Sequence, residues 1–471
     1  MTVSKQDNNE FSLDVKSPYD GSLIETVPMR DSSEINDMLN KAQALLKNRD
    51  GWLEHHQRSA ILKKLAQLVE AEADDFAKLI AKEGGKPLMD AKIEVARAID
   101  GIYLAMKELP HIMQGEEIPM GHTAASVGRK AYTTYEPIGV VVAVSAFNHP
   151  LNLIVHQVVP AIAVGCPVIV KPASTTPLNC IRFVQLVHEA GLPEGWCQVC
   201  VCDNEVAEIL VTSDKINFFT FIGSAGVGWW LKSKLAPGVR CALEHGGVAP
   251  VIVDSSADLE KTIPALLKGG FYHAGQVCVS VQKIFVHESI VDEVAQKIAD
   301  GASKLKVGNA EEESTEVGPL ILPREVDRVE AWVNEAVEAG AKVLTGGKRL
   351  GDTTYAPTVL VNPPEDAKVS TKEIFGPVVC IYSYFDHLEA IDKANSLDVA
   401  FQAAVFTLDI DFANDCIKRF DATAVMVNDH TAFRVDWMPF AGRRASGYGI
   451  GGIGYTMHDM VAVKMAVIKE G

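Results

Sequence analysis

The chain has 471 residues, more than one hydrophobic core usually serves, so we expect two or three packed units. A hydrophobic fraction of 48% with 22% charged residues is ordinary for a folded protein and excludes wholesale disorder. The 61 acidic residues outnumber the 44 Lys and Arg, for a formal charge of -17, which argues against nucleic acid or anionic membranes as partners.

The first residues contain no apolar core of a signal peptide, and the most apolar run, 138–147, is too short to span a bilayer. The nine cysteines are odd in number and scattered along the chain, unlike a disulfide framework. We therefore expect no membrane association and a reducing, cytoplasmic location.

Apolar residues at helical spacing from about Arg58 to Glu108 predict two or three amphipathic helices. Beyond them, Val-rich apolar runs alternate with helical stretches, which predicts a doubly wound parallel α/β sheet of the kind that binds nucleotides. The predicted strands are 138–144, 167–171, 197–202 and 215–221, and the predicted helices are 150–164, 177–190, 204–210 and one after residue 223.

A second alternating series begins near Val251 and continues through predicted strands at 283–286, 342–344 and 378–383, which indicates a second α/β domain. The stretches 120–134 and 461–468 look like strands but belong to neither series. They could pair with each other or with another subunit.

Two segments carry residue types suited to catalysis. Cys278 stands in HAGQVCVS, where a thiol with a base nearby would be a nucleophile, although a lone cysteine in apolar sequence is more often simply buried. Glu244 in LEHGG follows apolar residues, and a partly buried carboxylate with a raised pKa would act as a general base. The alternative for Glu244 is a surface position at a turn.

Two further segments are candidates for binding a cofactor. The turn from Gly223 to Gly228 follows a predicted strand and opens a helix, where a phosphate would bind, but its spacing is not that of the dinucleotide fingerprint. Lys171 ends a predicted strand, where it either faces a ligand crevice or extends to solvent.

Cys197, Cys200 and Cys202 include a CxxC spacing that is compatible with a metal or redox site. No second CxxC or suitably spaced His follows, and strand alternation divides the three thiols between two faces. Burial in the core is therefore the favoured interpretation.

Taken in order, these segments resemble the aldehyde dehydrogenase superfamily from about Ser17 to Val467. EPIGVVVAVSAFNHP, VKPAS and FIGSAGVG resemble its first strand and turn, its Lys-Pro motif and its Gly-Ser turn. LEHGG, GQVC, EIFGPV and PFAGRRASGYG resemble its general-base, nucleophile, ribose-binding and C-terminal motifs, with His245 where the family has Leu.

The resemblance implies two doubly wound α/β domains with a small β oligomerisation element. Residues 1–118 and 135–246 would form the NAD(P)-binding domain, 247–445 the catalytic domain, and 119–134 with 446–471 the oligomerisation element. Addition of these edge strands to another subunit's sheet would give a homodimer or homotetramer.

The implied reaction is oxidation of a small-molecule aldehyde to its carboxylic acid with NAD or NADP and no metal. Cys278 would attack the aldehyde carbon, the Asn148 amide would stabilise the oxyanion, and Glu244 would activate the water that hydrolyses the thioester. The implied cofactor-binding residues are Ser145, Phe147, Lys171, Ser174, Gly223, Ser224, Val227, Glu373 and Phe375.

Ser174 stands where NAD-preferring members of the family often have a Glu that binds the adenosine ribose. Because a Glu would repel a 2′-phosphate and a Ser would not, we expect NADP to be accepted. The alternative is that Ser174 has no effect and NAD still dominates.

His149, Asn152 and His156 share one face of the following helix, where members that take apolar aldehydes usually have aromatic residues at the histidine positions. We therefore expect the substrate to be a small polar or anionic aldehyde, with Arg434 or Arg443 as the counter-charge, unless the histidines are structural.

Two anionic substrates are disfavoured. Succinic-semialdehyde members have arginines at positions occupied here by His156 and Tyr272, and glyceraldehyde-3-phosphate members have one at Val277.

Two other functions stay open. CoA-acylating semialdehyde dehydrogenases share the fold but generally lack the base, so Glu244 argues against that activity. A structural or binding protein that has lost activity is disfavoured because Asn148, Glu244, Cys278 and Glu373 are all present.

Overall fold

The computed structural model describes residues 4–5 and 11–470. The helices are α1 (Ser32–Lys47), α2 (His55–Ala71), α3 (Ala73–Gly84), α4 (Leu88–Ile112), α5 (Asn152–Val164), α6 (Leu178–Glu189), α7 (Asn204–Thr212), α8 (Ala225–Ser233), α9 (Leu259–Phe271), α10 (Val291–Ala302), α11 (Pro323–Glu338), α12 (Lys368–Thr371), α13 (His387–Asn395), α14 (Ile410–Arg419) and α15 (Ile453–Asp459).

The strands are β1 (Ser4–Lys5), β2 (Phe11–Lys16), β3 (Leu23–Pro28), β4 (Glu117–Ile118), β5 (Arg129–Pro137), β6 (Val141–Val144), β7 (Val168–Lys171), β8 (Cys197–Val199), β9 (Phe218–Ile222), β10 (Arg240–Glu244), β11 (Val251–Val253), β12 (Lys283–His287), β13 (Lys342–Thr345), β14 (Thr358–Val361), β15 (Val378–Tyr384), β16 (Val399–Ala400), β17 (Gln402–Phe406), β18 (Ala424–Val427), β19 (Arg443–Arg444), β20 (Gly447–Tyr448) and β21 (Val461–Lys469).

The first large sheet has the order β20-β10-β9-β6-β7-β8 within the described chain. Its strands run parallel from β10 to β8, and β20 adds an antiparallel edge. Val141 and Val168 enter a core shared with α2 to α6, whereas Val142 and Ile169 enter the core on the opposite face, with α1 and α7. Helices thus cover both faces, which explains why these strands are apolar throughout.

The strand predicted over 197–202 is shorter and ends at Val199. The Cys200 amide still donates to the Val170 carbonyl at 2.8 Å. Asp203 then caps α7 by accepting from the Val206 amide at 2.8 Å, so the chain must leave the sheet before that cap.

The second large sheet has the order β13-β14-β15-β12-β11-β17-β18 among the described residues. All its neighbouring strands are parallel except β13 and β14, which are antiparallel. Its strands and α9 to α14 enclose a separate hydrophobic core. The expected pair of doubly wound α/β units is therefore confirmed.

A small antiparallel sheet joins β21, β5 and β4 in that order over the described part of the chain. β5 and β21 pair along their whole length, with Thr134 opposite Lys464, so the two strand-like stretches outside the main series pair with each other. The first of them becomes a strand only at Arg129, because residues 124–126 form a 3₁₀ turn.

The predicted domain boundaries stay a prediction, but two segments after residue 446 contact the first unit. β20 pairs with β10, placing Gly447 opposite Glu244, and α15 packs on α4 and α5. The C-terminal segment therefore supports the edge of the first sheet as well as forming β21.

Candidate active site

A cavity of about 800 Å³ lies where the loops after β6, β9 and β10 meet loops of the second sheet. Ligands of doubly wound folds bind at this end of a parallel sheet. The predicted residues that line the cavity are Ser145, Phe147, Asn148, His149, Asn152, His156, Gly223, Ser224, Glu244, Cys278, Glu373, Phe375 and Arg434.

Three predicted cofactor residues lie outside the cavity wall. Lys171 is buried and its Nζ donates to the Pro172 carbonyl at 3.3 Å. Ser174 is half-buried next to Ala173, which does line the cavity. Val227 is exposed on the first turn of α8.

Cys278 reaches the cavity because the chain turns sharply just before it. His273, Ala274 and Gly275 have φ angles of 48°, 54° and 71°, three consecutive left-handed residues. A Cβ at Gly275 would overlap the Gly376 carbonyl, so this position requires glycine. Burial, with Glu244 and Glu373 nearby, raises the pKa of the Cys278 thiol above its usual range.

One of the two side-chain amide hydrogens of Asn148 makes a hydrogen bond within the protein. Its Nδ2 donates to the Gln276 carbonyl at 2.9 Å, and the side chain is 5% exposed. The Gln276 side chain is fixed in turn, donating to the Pro319 carbonyl at 3.2 Å and accepting from the Ile321 amide at 3.0 Å. The second hydrogen of the Asn148 amide thus remains to donate to a ligand.

Glu244 is the last residue of β10, and its carboxylate accepts no hydrogen bond from the described residues. Burial raises its pKa to about 7, although the Arg434 guanidinium acts in the opposite direction. A carboxyl group that titrates near neutrality in a cavity is suited to act as a general base.

Two of the predicted cofactor residues that line the cavity carry polar atoms without protein partners. Glu373 Oε1 and Ser145 Oγ are buried without a hydrogen bond in the described structure. A Cβ at Gly246 would overlap the Glu373 carboxylate, so glycine permits this close approach. The Phe147 and Phe375 rings meet edge to face at 5.9 Å.

These residues fit a nicotinamide dinucleotide. Glu373 Oε1 can accept from a ribose hydroxyl, and the first turn of α8 after Ser224 offers amides to a pyrophosphate. His245 lies beneath this turn and donates from Nδ1 to the Gly223 carbonyl at 2.8 Å, while its buried Nε2 has no partner among the described atoms.

Asp436, which sequence reasoning missed, organises the substrate end of the cavity. It accepts from Arg97 Nη2 at 2.7 Å, Arg97 Nε at 3.2 Å, His156 Nε2 at 2.6 Å and Asn152 Nδ2 at 3.3 Å. Desolvation acts to raise the pKa of Asp436, but the hydrogen bonds from His156 and Arg97 and the charge of Arg97 hold it well below the usual range. Asn152 and His156 thus belong to one network, as their shared helical face suggests.

Arg434 is the second guanidinium at this end. It stacks on the Phe440 ring at 3.5 Å, and its Nε is buried without a hydrogen bond, 4.0 Å from Asp436 Oδ1. Arg443, the other candidate counter-charge, pairs with Asp421 at 3.0 Å on the surface and does not line the cavity.

His149 lies beside Tyr272, with Nε2 3.4 Å from the phenolic oxygen. Its ring also meets that of His273 edge to face at 6.5 Å. Burial and the nearby cations hold the pKa of His149 well below its usual value, so His149 is neutral at pH 7.

Cys197, Cys200 and Cys202 are buried, and all nine cysteines of the chain are free thiols. The described residues contain no cluster of three or more His, Cys, Asp or Glu placed to hold a metal ion. No helix in the described ranges is long and apolar enough to cross a membrane.

The cavity wall also includes Arg97, Lys268 and Tyr272, which no motif marked. Glu94, behind the wall, accepts from the Leu151 and Asn152 amides at 3.0 and 3.1 Å and so caps α5. For Glu94, the one signal in the sequence is the helical spacing of α4, which places this residue among the buried positions of the helix.

A doubly wound sheet facing a cavity that contains a thiol, an amide and a carboxyl group is the architecture of a nucleotide-dependent enzyme. The model of the aldehyde dehydrogenase family matches residues 3–466. A 3-sulfolactaldehyde dehydrogenase from Priestia aryabhattai is 38% identical over 459 residues, covering 97% of this chain and 95% of the relative.

Two solved structures give the same result. Aldehyde dehydrogenase 21 from Physcomitrella patens, in complex with the reaction product succinate, is 35% identical with a TM-score of 0.94, covering 100% of this chain and 98% of the other. The glyceraldehyde-3-phosphate dehydrogenase GapN from Methanocaldococcus jannaschii, complexed with NADP, is 35% identical with a TM-score of 0.92, covering 98% and 100%. The chain therefore belongs to the aldehyde dehydrogenase family and is an NAD(P)-dependent oxidoreductase acting on aldehydes.

Proposed function

We propose that the protein oxidises a small aldehyde with a polar or anionic group to its carboxylic acid, through a thiohemiacetal and a thioester on Cys278. The observation that carries the proposal is that Cys278, Asn148 and Glu244 line one cavity although they come from three separate loops. The presence of Glu244 in the same cavity as the thiol favours hydrolysis over CoA acylation or an inactive fold.

The first step requires the Cys278 thiolate, because the thiol is a poor nucleophile. Since the thiol pKa is raised, a base must take its proton, and we assign this role to Glu244, whose carboxylate lines the same cavity and accepts no hydrogen bond from the described residues. The sulfur then bonds to the aldehyde carbon and the carbonyl electrons move to oxygen. The free Asn148 N–H and the Cys278 backbone N–H donate to that oxyanion, each contributing about 3–4 kcal/mol.

When bound, the oxidised nicotinamide supplies the hydride acceptor that converts the adduct to a thioester. Glu244, having released its first proton to solvent, removes a proton from a water molecule. That water attacks the thioester carbon, the carbon–sulfur bond breaks, and the carboxylic acid leaves with Cys278 regenerated.

Glu373, Phe375, Ser145 and Phe147 hold the nicotinamide half of the cofactor in this proposal, and Gly223, Ser224 and Val227 hold the pyrophosphate. Lys171 and Ser174 face the adenosine ribose. Because no carboxylate stands at Ser174, NADP is accepted, and the Ser174→Glu variant loses NADP relative to NAD. A wild-type enzyme with a strong preference for NAD contradicts this part of the proposal.

An anionic group on the aldehyde is favoured by the charge of the substrate end. Arg97 donates hydrogen bonds to the ionised carboxylate of Asp436, whereas the Arg434 guanidinium donates none to the described residues, so Arg434 remains able to bind an anion. Of the three similar proteins described above, one is a 3-sulfolactaldehyde dehydrogenase, one is bound to its reaction product succinate and one is a glyceraldehyde-3-phosphate dehydrogenase, and each of these small molecules is anionic. His149, Asn152 and His156 complete the polar wall.

A homodimer or homotetramer is favoured by the outer edge of β21, which has no partner strand in the described chain. Val463, Met465 and Val467, on one face of this strand, are 64%, 55% and 49% exposed. An unpaired apolar edge strand such as β21 favours pairing with a strand of a second copy of the chain. Light scattering tests this: wild type is oligomeric and Met465→Glu shifts towards monomer, whereas a monomeric wild type refutes it.

The nine free thiols favour the cytoplasm as the location of the protein.

The reaction is tested by the absorbance of reduced cofactor. Cys278→Ala forms none, whereas Glu244→Gln forms reduced cofactor about 10²–10⁴-fold more slowly, because both the Cys278 thiol and the hydrolytic water lose their base. Mass spectrometry of the product, with and without CoA, identifies the acceptor. A free acid in both reactions supports hydrolysis, and an acyl-CoA overturns it.

A further inference from the structure

The protonation of His156 is determined by its partner. Its Nε2 lies 2.6 Å from Asp436 Oδ1, and a carboxylate oxygen can only accept, so Nε2 carries the hydrogen. Desolvation and the nearby guanidinium groups lower the pKa of His156 to about 4, so the ring is neutral at pH 7. The other ring nitrogen, Nδ1, therefore presents a lone pair.

His156 Nδ1 makes no hydrogen bond with the described residues. Unlike the fully buried polar atoms that lack a partner, it keeps some accessible surface. The side chain as a whole is 8% exposed and lines the cavity. Its accessible edge thus opens on the substrate end, where a ligand atom can meet Nδ1.

The other groups that contact Asp436 do not duplicate that acceptor. Arg97 and Arg434 can only donate. Asp436 Oδ1 already accepts three hydrogen bonds, and Asn152 Oδ1 is sealed from the cavity. An anionic substrate group would meet the guanidinium groups, which leaves the imidazole for a substrate atom that donates.

We propose that His156 Nδ1 accepts a hydrogen bond from a hydroxyl group of the substrate, so that the enzyme selects hydroxy aldehydes over their deoxy counterparts. The proposal rests on the function proposed above, in which the aldehyde extends from Cys278 towards the Asp436 network. Discrimination arises because a deoxy aldehyde leaves the imidazole lone pair desolvated and unpaired.

The test compares kcat/KM for 2-hydroxypropanal and propanal, which differ only in the hydroxyl group. Wild type prefers the hydroxy aldehyde about tenfold or more. The ratio is measured within one enzyme preparation, so the fraction of folded protein cancels. Equal values for the two aldehydes overturn this inference but leave the oxidation of aldehydes intact, whereas oxidation of neither overturns both proposals.

Two variants separate the ring nitrogens. In His156→Gln the amide reaches the Nε2 position, so the contact with Asp436 is kept and the acceptor near Nδ1 is lost. In His156→Asn the amide stays near the Nδ1 position. We expect His156→Gln to lower the ratio towards one and His156→Asn to keep most of the preference for the hydroxy aldehyde. An unchanged ratio in His156→Gln, or its loss in both variants, overturns the assignment to Nδ1.

Discussion

Replacing Arg434 with Met tests the charge at the substrate end most directly. The guanidinium stacks on Phe440 at 3.5 Å, and a Met side chain can keep that apolar contact while removing the charge. Arg97 and Asp436 then compensate each other, and an anionic group on the aldehyde meets no unpaired cation.

The expected magnitude follows from the hydrogen bonds available. A guanidinium that holds an anion with two charge-assisted hydrogen bonds contributes about 1.5–3 kcal/mol for each, so Arg434→Met lowers kcat/KM for an anionic aldehyde by about a hundredfold or more. A neutral aldehyde loses none of these bonds. For that substrate the remaining effect is a rise in the pKa of Glu244, because Arg434 now lowers it, which moves the pH profile towards higher pH.

The assay measures kcat/KM for matched neutral and anionic short aldehydes from the absorbance of reduced cofactor. Arg443→Met is the matched control, because Arg443 pairs with Asp421 on the surface and does not line the cavity. Equal losses for neutral and anionic aldehydes in Arg434→Met would show that Arg434 is structural. A full rate with the anionic aldehyde would refute the charge argument altogether.

Three further outcomes are expected. Asn148→Ala lowers kcat about 10²–10³-fold with little change in KM, since its free N–H acts only on the oxyanion; a fall confined to KM would contradict this role. Gly246→Ala, whose Cβ would overlap the Glu373 carboxylate, raises KM for the cofactor about tenfold while KM for the aldehyde changes less, as initial rates would reveal. The kcat of wild type rises with pH through about 7, because only the ionised form of Glu244 accepts a proton, and Glu244→Gln abolishes that rise.

The parallel-sheet fold could be predicted because its signal is local. β6 and β7 are short apolar runs buried on both faces, and each is followed by a helical stretch, so residue type alone distinguishes them from surface strands. The prediction of a strand across 120–128 was wrong. This segment looks strand-like in sequence, but residues 124–126 form a 3₁₀ turn and β5 begins only at Arg129.

The same distinction between local and tertiary signals determines which residues of the candidate site could be predicted. Cys278, Glu244 and Asn148 each lie in a motif of a few residues, so a resemblance was enough to select them. Arg97 and Asp436 are separated by 339 residues, and neither has neighbours in sequence that mark it. Only the packing of α4 against the loop after β18 brings them together, so their contact follows from tertiary structure alone.

The two ends of the cavity differ in how their polar atoms are satisfied. At the substrate end, Asp436 accepts four hydrogen bonds, which offsets the desolvation of a buried carboxylate and fixes the orientation of Arg97 and His156. At the catalytic end, Glu244 and Glu373 Oε1 are left without partners in the described structure, and one Asn148 hydrogen stays free. Leaving such groups unpaired destabilises the fold, and a ligand that bonds to them recovers that energy on binding. Asp436 thus fixes the orientation of its neighbours at the substrate end, where Arg434 Nε and Asn152 Oδ1 stay unpaired, whereas the polar groups at the catalytic end are completed only by the ligands that bind there.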